Sequence, residues 1–123
     1  MRNTARFAMT ALSLAALCTG AGLMPTAAVA ADEATIKFGK EVAYDRKKGN
    51  CLACHMMDDG ASPGDIGPPL IAMQARFPDR EKLRAQIWDA QVANPGTRMP
   101  PFGKHQALSE KEIDAIVDYL YTL

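Results

Sequence analysis

The run Cys51-Leu52-Ala53-Cys54-His55 constrains this chain more than any other stretch of it. C-x-x-C-H is the attachment signal of a c-type haem. Two thiols three positions apart on one helical turn can bond to the two vinyl-derived carbons along one porphyrin edge. The following His55 then points under the iron as its proximal ligand. A zinc site would need two further Cys or His ligands at similar spacing, and only His105 remains. A thioredoxin-like dithiol would need a strand before the motif and a helix after it; here a helical pattern precedes it and a Gly/Pro-rich loop follows. A structural disulfide at this spacing is the remaining alternative.

The rest of the chain suits such a cofactor. With 123 residues it holds one domain, and the balance of 14 basic and 14 acidic residues disfavours a nucleic-acid partner. Residues 1–30 read as a secretory signal peptide. Arg2 and Arg6 form a positive n-region, Phe7 to Leu17 a short apolar h-region, and Ala28-Val29-Ala30 a small-residue cleavage site. Gly20, Gly22 and Pro25 break the apolar stretch before it is long enough to span a bilayer. Cys18 follows Leu17, which is larger than the residue expected before a lipidated cysteine, so it is expected to leave with the signal. The mature domain, 31–123, then carries twelve basic and fourteen acidic residues, a net charge of −2. A core of that size is marginal without help, and a buried cofactor would supply apolar volume. Export also fits c-type attachment, an extracytoplasmic process.

Periodicity predicts an all-α domain of three main helices joined by Pro/Gly-rich loops. The first helix is expected over Thr35–Lys48, with Arg46-Lys47-Lys48 favourable at its C-terminal end and Gly49 as its stop. From Met56 to Pro78 the glycines and prolines demand loops, with a helical turn around Leu70–Ala75, and a loop of that length usually serves function. A second helix is expected from an Asp79 N-cap to about Ala93. A third follows the capping box Ser109-Glu110-Lys111-Glu112, with Ile113, Ile116, Val117 and Leu120 recurring on one face.

The distal iron ligand is expected from the loop Asn94–Gly103. Electron-carrying haems commonly pair His with Met. Met56 and Met57 sit too close to His55 to reach round the ring, whereas Met99 lies far enough along, between stiffening prolines. The alternative to a distal Met99 is His105, which would lower the potential; an open iron is the third possibility. Pro68, in Ile66-Gly67-Pro68-Pro69-Leu70, is placed to offer its carbonyl to the His55 Nδ1–H. Leu70, Leu83, Ile87, Trp88, Phe102, Ile116 and Leu120 either line the haem or fill the core; Leu70 and Phe102 are taken as pocket residues. Trp88 reads as core rather than as an electron relay, and Asp58-Asp59 as a solvated loop tip. Lys47, Lys48, Arg76 and Arg98 are available to steer a partner or pair with haem propionates.

Several runs carry a closer likeness. Asp45–Asn50, Ile66–Leu70, Ala75–Pro78, Ile87–Ala90, Asn94-Pro95, Met99–Gly103 and Tyr119–Leu123 resemble the SoxX family, the monohaem cytochrome subunits of the bacterial sulfur-oxidation system. The likeness covers nearly all of the mature chain, and Phe77 to Phe102 narrows it beyond cytochrome c in general. It implies the class I cytochrome c fold, one covalently bound haem c on Cys51 and Cys54 with His55 and Met99 as axial ligands, and a periplasmic location. It further implies a heterodimer with a SoxA-like cytochrome, which joins thiosulfate to a cysteine of a SoxY-type carrier as an L-cysteine S-thiosulfotransferase. In that arrangement this chain is not catalytic alone. It accepts electrons from the SoxA haem and passes them to a small cytochrome c, with no role at a membrane. A free-standing electron shuttle is the alternative function, and a thiol oxidoreductase using Cys51 and Cys54 the enzymatic one.

Overall fold

The computed structural model describes residues 31–123, so the expected signal peptide and Cys18 lie outside the described residues. Four helices follow in order: α1 (Glu33–Tyr44), the short α2 (Met73–Arg76), α3 (Arg80–Trp88) and α4 (Glu110–Leu120), with a 3₁₀ turn at Cys51–Ala53. The described residues contain no strand, and no described helix is long and apolar enough to cross a membrane.

The helix starts follow local chemistry. Asp32 caps α1 by accepting the Thr35 amide at 2.9 Å, Asp79 caps α3 through the Glu81 amide, and Ser109 and Glu112 form the full reciprocal box on α4. The ends differ from the sequence expectation, and both times an aspartate is the reason. α1 stops at Tyr44 rather than Lys48, because Asp45 turns to an extended ψ and its carboxylate accepts the Lys47 amide at 2.8 Å. α3 stops at Trp88 rather than Ala93, because Asp89 likewise leaves the helical region and accepts the Gln91 amide. A short acceptor side chain competes with the helical ladder for the next free amide. Gly49 is accordingly not the helix stop. It is buried against the Val42 carbonyl, and the left-handed residue is its neighbour Asn50, φ 46°. The three basic residues lie beyond the helix, which lets Lys48 bridge to Glu112 on α4.

α1 packs chiefly on α4, and α3 lies against α4's other side. Ile113, Ile116 and Val117 are among the most buried side chains, so the predicted apolar face of α4 is the floor of the core. Truncating one such residue to Ala costs about 2–5 kcal/mol. The crossing of α1 over α4 is close enough at Gly39 that a Cβ there would lie 1.9 Å from the Ala115 carbonyl oxygen.

The long loop after the motif is stitched to it by backbone bonds. Gly64, Gly67 and Leu70 donate their amides to the Leu52, Cys54 and Met56 carbonyls at 2.8–2.9 Å. Asp58 and Asp59 are exposed at a turn, as expected of a solvated tip, but they are not without partners. Lys40 on α1 bridges both, at 2.7 and 2.8 Å, and the Tyr119 and Tyr44 hydroxyls reach Asp58 and Asp59. The acidic pair ties the loop to both long helices.

Candidate haem-binding site

One cavity of about 760 Å³ opens between the motif, the loop after it, α2, α3 and the segment before α4. Cys51, Cys54, His55 and Met99 all line it, as do Pro68, Leu70 and Phe102. Residues 48 positions apart in sequence thus face one space, and the structure brings together the whole expected site.

The 3₁₀ turn at Cys51–Ala53, which Cys54 caps, brings both cysteines to the cavity lining. His55 closes the turn with its amide on the Cys51 carbonyl at 2.9 Å. Both cysteines are free thiols, without a disulfide between them. Burial pushes the Cys51 thiol up to about 11. A dithiol oxidoreductase needs the opposite, a thiolate stabilised near neutrality.

The proximal side is defined by one hydrogen bond. His55 Nδ1 lies 2.8 Å from the Pro68 carbonyl oxygen. A carbonyl only accepts, so Nδ1 carries the proton and donates it, and the lone pair is on Nε2. This is the tautomer a metal-binding imidazole needs, and the carbonyl raises its donor strength.

Met99, also in the cavity lining, sits half-buried in an ordered turn. Asn94 accepts the Gly96 and Thr97 amides, and Thr97 Oγ1 accepts the Met99 amide at 3.1 Å. His105 is exposed and does not line the cavity, which removes the support for it as the alternative ligand. Met73 is a further methionine in the cavity lining. It is 2 % exposed in the core, and its sulfur receives the Arg76 guanidinium at 3.5 Å. A helical i, i+3 pairing with Arg76 was the signal available for it.

The apolar walls include Leu83, Ile87, Ile116 and Leu120. Trp88 does not line the cavity. It is half-buried behind it, against Gly103 on one side and under the Arg84 guanidinium, 5.3 Å from the ring centroid. The polar lining is one-signed: Arg46, Lys47, Lys48, Arg76 and Arg98 line the cavity and no carboxylate does. Lys48 is taken by Glu112, and Arg76 bonds the Pro69 carbonyl at 2.7 Å. Among the described residues Arg46, Lys47 and Arg98 have no ion-pair partner. An apolar slot with thiols at one wall, imidazole and thioether in the lining and a cationic border matches the chemistry of haem: a flat hydrophobic ring, two vinyl groups, an iron and two carboxylates.

This all-helical fold around such a cavity defines a c-type cytochrome domain. Residues 39–120 match the family model described as "Cytochrome C oxidase, cbb3-type, subunit III", and the chain belongs to that family. Haem c is the cofactor that this family implies. A protein of Aquifex aeolicus (strain VF5) described as an uncharacterized lipoprotein is 37 % identical over 76 residues, 61 % of this chain. The matched stretch spans 37 % of that protein's length.

Proposed function

We propose that the chain is an exported single-haem cytochrome c that serves as the electron-transfer subunit of a SoxXA-type complex. The observation that carries the electron-transfer reading is the shared cavity lining of Cys51, Cys54, His55 and Met99. The narrower, sulfur-oxidising role rests on the sequence runs between Phe77 and Phe102.

Cys51 and Cys54 would hold the haem covalently, and His55 and Met99 would bind its iron. When bound, haem c supplies an iron that takes up and releases one electron at a time. The protein's part is to change little as that happens. Pro68 holds the proximal imidazole, Pro100 and Pro101 stiffen the distal loop, and the apolar walls keep water away. In the SoxXA-type reading, electrons removed while thiosulfate is joined to a SoxY-type carrier cysteine arrive singly from a SoxA-like haem. They leave singly to a small cytochrome c.

A second reading, a free-standing periplasmic shuttle, draws support from Arg46, Lys47 and Arg98. Exposed, unpaired cations beside the cavity favour fast, salt-sensitive encounters with acidic partners. Purification of the tagged chain from its native periplasm separates the two. Stoichiometric recovery of a larger cytochrome supports the complex; recovery of the chain alone at physiological salt supports the shuttle. The mature N-terminus, read in the same sample, is expected after Ala30. Cleavage before an acylated Cys18 would instead make the chain a lipoprotein, as its Aquifex relative is described to be.

A further inference from the structure

We infer that Lys104 and Asp89 form a clamp that positions Met99 on the iron; the inference rests on the ligation reading given above. Asp89 is the buried charged residue of the core, 8 % exposed. Nothing in the electron-transfer chemistry uses it, and a buried carboxylate is retained only with good partners. Its partners are the Lys104 Nζ at 2.8 Å and the Gln91 amide at 3.1 Å.

The position of that pair gives it a task. Lys104 follows Met99 by five residues, and Asp89 immediately follows the last residue of α3. Just before Asp89, the Trp88 carbonyl accepts the Gly103 and Lys104 amides at 3.1 and 3.2 Å. Gly103 lies so flat on the Trp88 ring that a Cβ would fall 2.2 Å from its carbons. Trp88 is itself held by Arg84, whose guanidinium bonds Asp114 and Glu110 on α4. The loop's downstream end is therefore fastened to α3 by two backbone bonds and one ion pair, and α3 is fastened to α4. Upstream, among the described residues, it is fixed by the Asn94 turn, with the Asn94 amide donating to the Ala90 carbonyl at 3.0 Å, and by Thr97.

A thioether is a weak ligand, and its hold on iron depends on how much of the loop's freedom is already spent. Removing the Lys104 charge breaks the ion pair and loosens the downstream anchor, leaving its two backbone bonds in place, without touching the haem cavity, which Lys104 does not line. Lys104 and Asp89 are thus positioning residues that act through Met99.

The test is imidazole binding to the ferric holoprotein, read as loss of the weak far-red band of methionine-ligated ferric haem. In Lys104→Gln the imidazole concentration at half-displacement is expected to fall about tenfold. Asp89→Asn should do the same, while Lys104→Arg restores the wild-type value. Lys111→Gln, on the exposed side of α4, removes an equal charge and should change nothing. Haem content of Lys104→Gln should stay near wild type, and its far-UV melt, lowered by the unpaired Asp89, should stay cooperative with its midpoint above the assay temperature. A wild-type imidazole affinity in Lys104→Gln, with the band present, overturns the clamp alone. If wild type lacks the band and binds imidazole as Met99→Ala does, the ligation reading fails and the clamp falls with it.

Discussion

Gly67 lies face-on to the His55 imidazole: a Cβ on residue 67 would stand 2.2 Å from Cε1 and 2.5 Å from Nδ1. The absent side chain lets the loop lie flat on the ring, and the next residue's carbonyl then meets the Nδ1 proton. Gly67→Ala cannot keep both contacts. The imidazole must tilt, and the bond to Pro68 must lengthen. Overpacking of this kind costs about 1–3 kcal/mol, or roughly 10 °C for a domain this small. Thermal melting of the holoprotein, with its reduction potential, checks this. An unchanged melt and an unchanged potential would show that the ring is not so held.

Met99→Ala should retain covalent haem, lose the far-red band and shift the reduction potential downward, because a thioether favours ferrous iron. Met73→Leu should keep the band, since Met73's sulfur is engaged by Arg76 inside the core. Absorption spectra of the two ferric variants decide between these methionines. A band lost in Met73→Leu and kept in Met99→Ala would reverse the assignment.

Gly39→Ala tests the helix pair that supports the site. Alanine improves helix propensity by about 1 kcal/mol. Here the methyl would fall 1.9 Å from a backbone oxygen of α4, which cannot swing aside. The clash should prevail, with a net loss of about 2 kcal/mol. Denaturant titration measures it, and a stabilised variant would mean that the two helices cross farther apart.

Acid stability should report the Lys48–Glu112 bridge. The Lys48 ammonium, helped by the Ser109 amide and hydroxyl, pulls the Glu112 carboxyl down to about 2 from its ordinary 4.5. A depressed native pKa contributes stability that is complete above the unfolded value and disappears as pH falls through the native one. Glu112 should therefore cost the fold stability between about pH 4.5 and 2. Glu112→Gln preserves the capping box but carries no charge, so its stability should fall less steeply across that window. Parallel denaturant titrations at several pH values compare the two slopes; identical slopes would show that the bridge does not form in solution.

Much of this architecture could be read along the chain. Ser109 and Glu112 announce their helix because capping is local chemistry, and Ile113, Ile116, Val117 and Leu120 announce its buried face because burial repeats with the helical period. The C-x-x-C-H turn is legible for the same reason. What escaped depended on groups distant in sequence or on competition between equals. Asp45 and Asp89 end their helices by capturing an amide two residues on, which no apolar periodicity reveals. Asp58 and Asp59 are solvated as their sequence suggests, but that α1 brings Lys40 beside them is not written in it. The expected turn around Leu70–Ala75 becomes α2, but that Met73 is the residue it buries does not show in so short a pattern. The closeness of Gly67 to His55 is a matter of ångströms, set by how the long loop folds back, and spacing alone does not encode it.

Haem is also expected to be part of the core. The cavity takes up much of the space between α3, α4 and the loops, and with no ring in it their apolar walls would face water. The Cys51→Ala, Cys54→Ala double variant should therefore be largely unfolded by far-UV circular dichroism. A cooperative melt near the wild-type temperature would mean that the helices support one another without the cofactor.

The intact mass of the gene product, made in cells competent in c-type haem attachment, decides whether haem is covalently bound. A chain beginning at Ala31 is expected that carries the added mass of one haem, retained under denaturing conditions, and lost when both Cys51 and Cys54 are replaced. A mature chain at its bare polypeptide mass, produced by the same cells, would contradict covalent attachment.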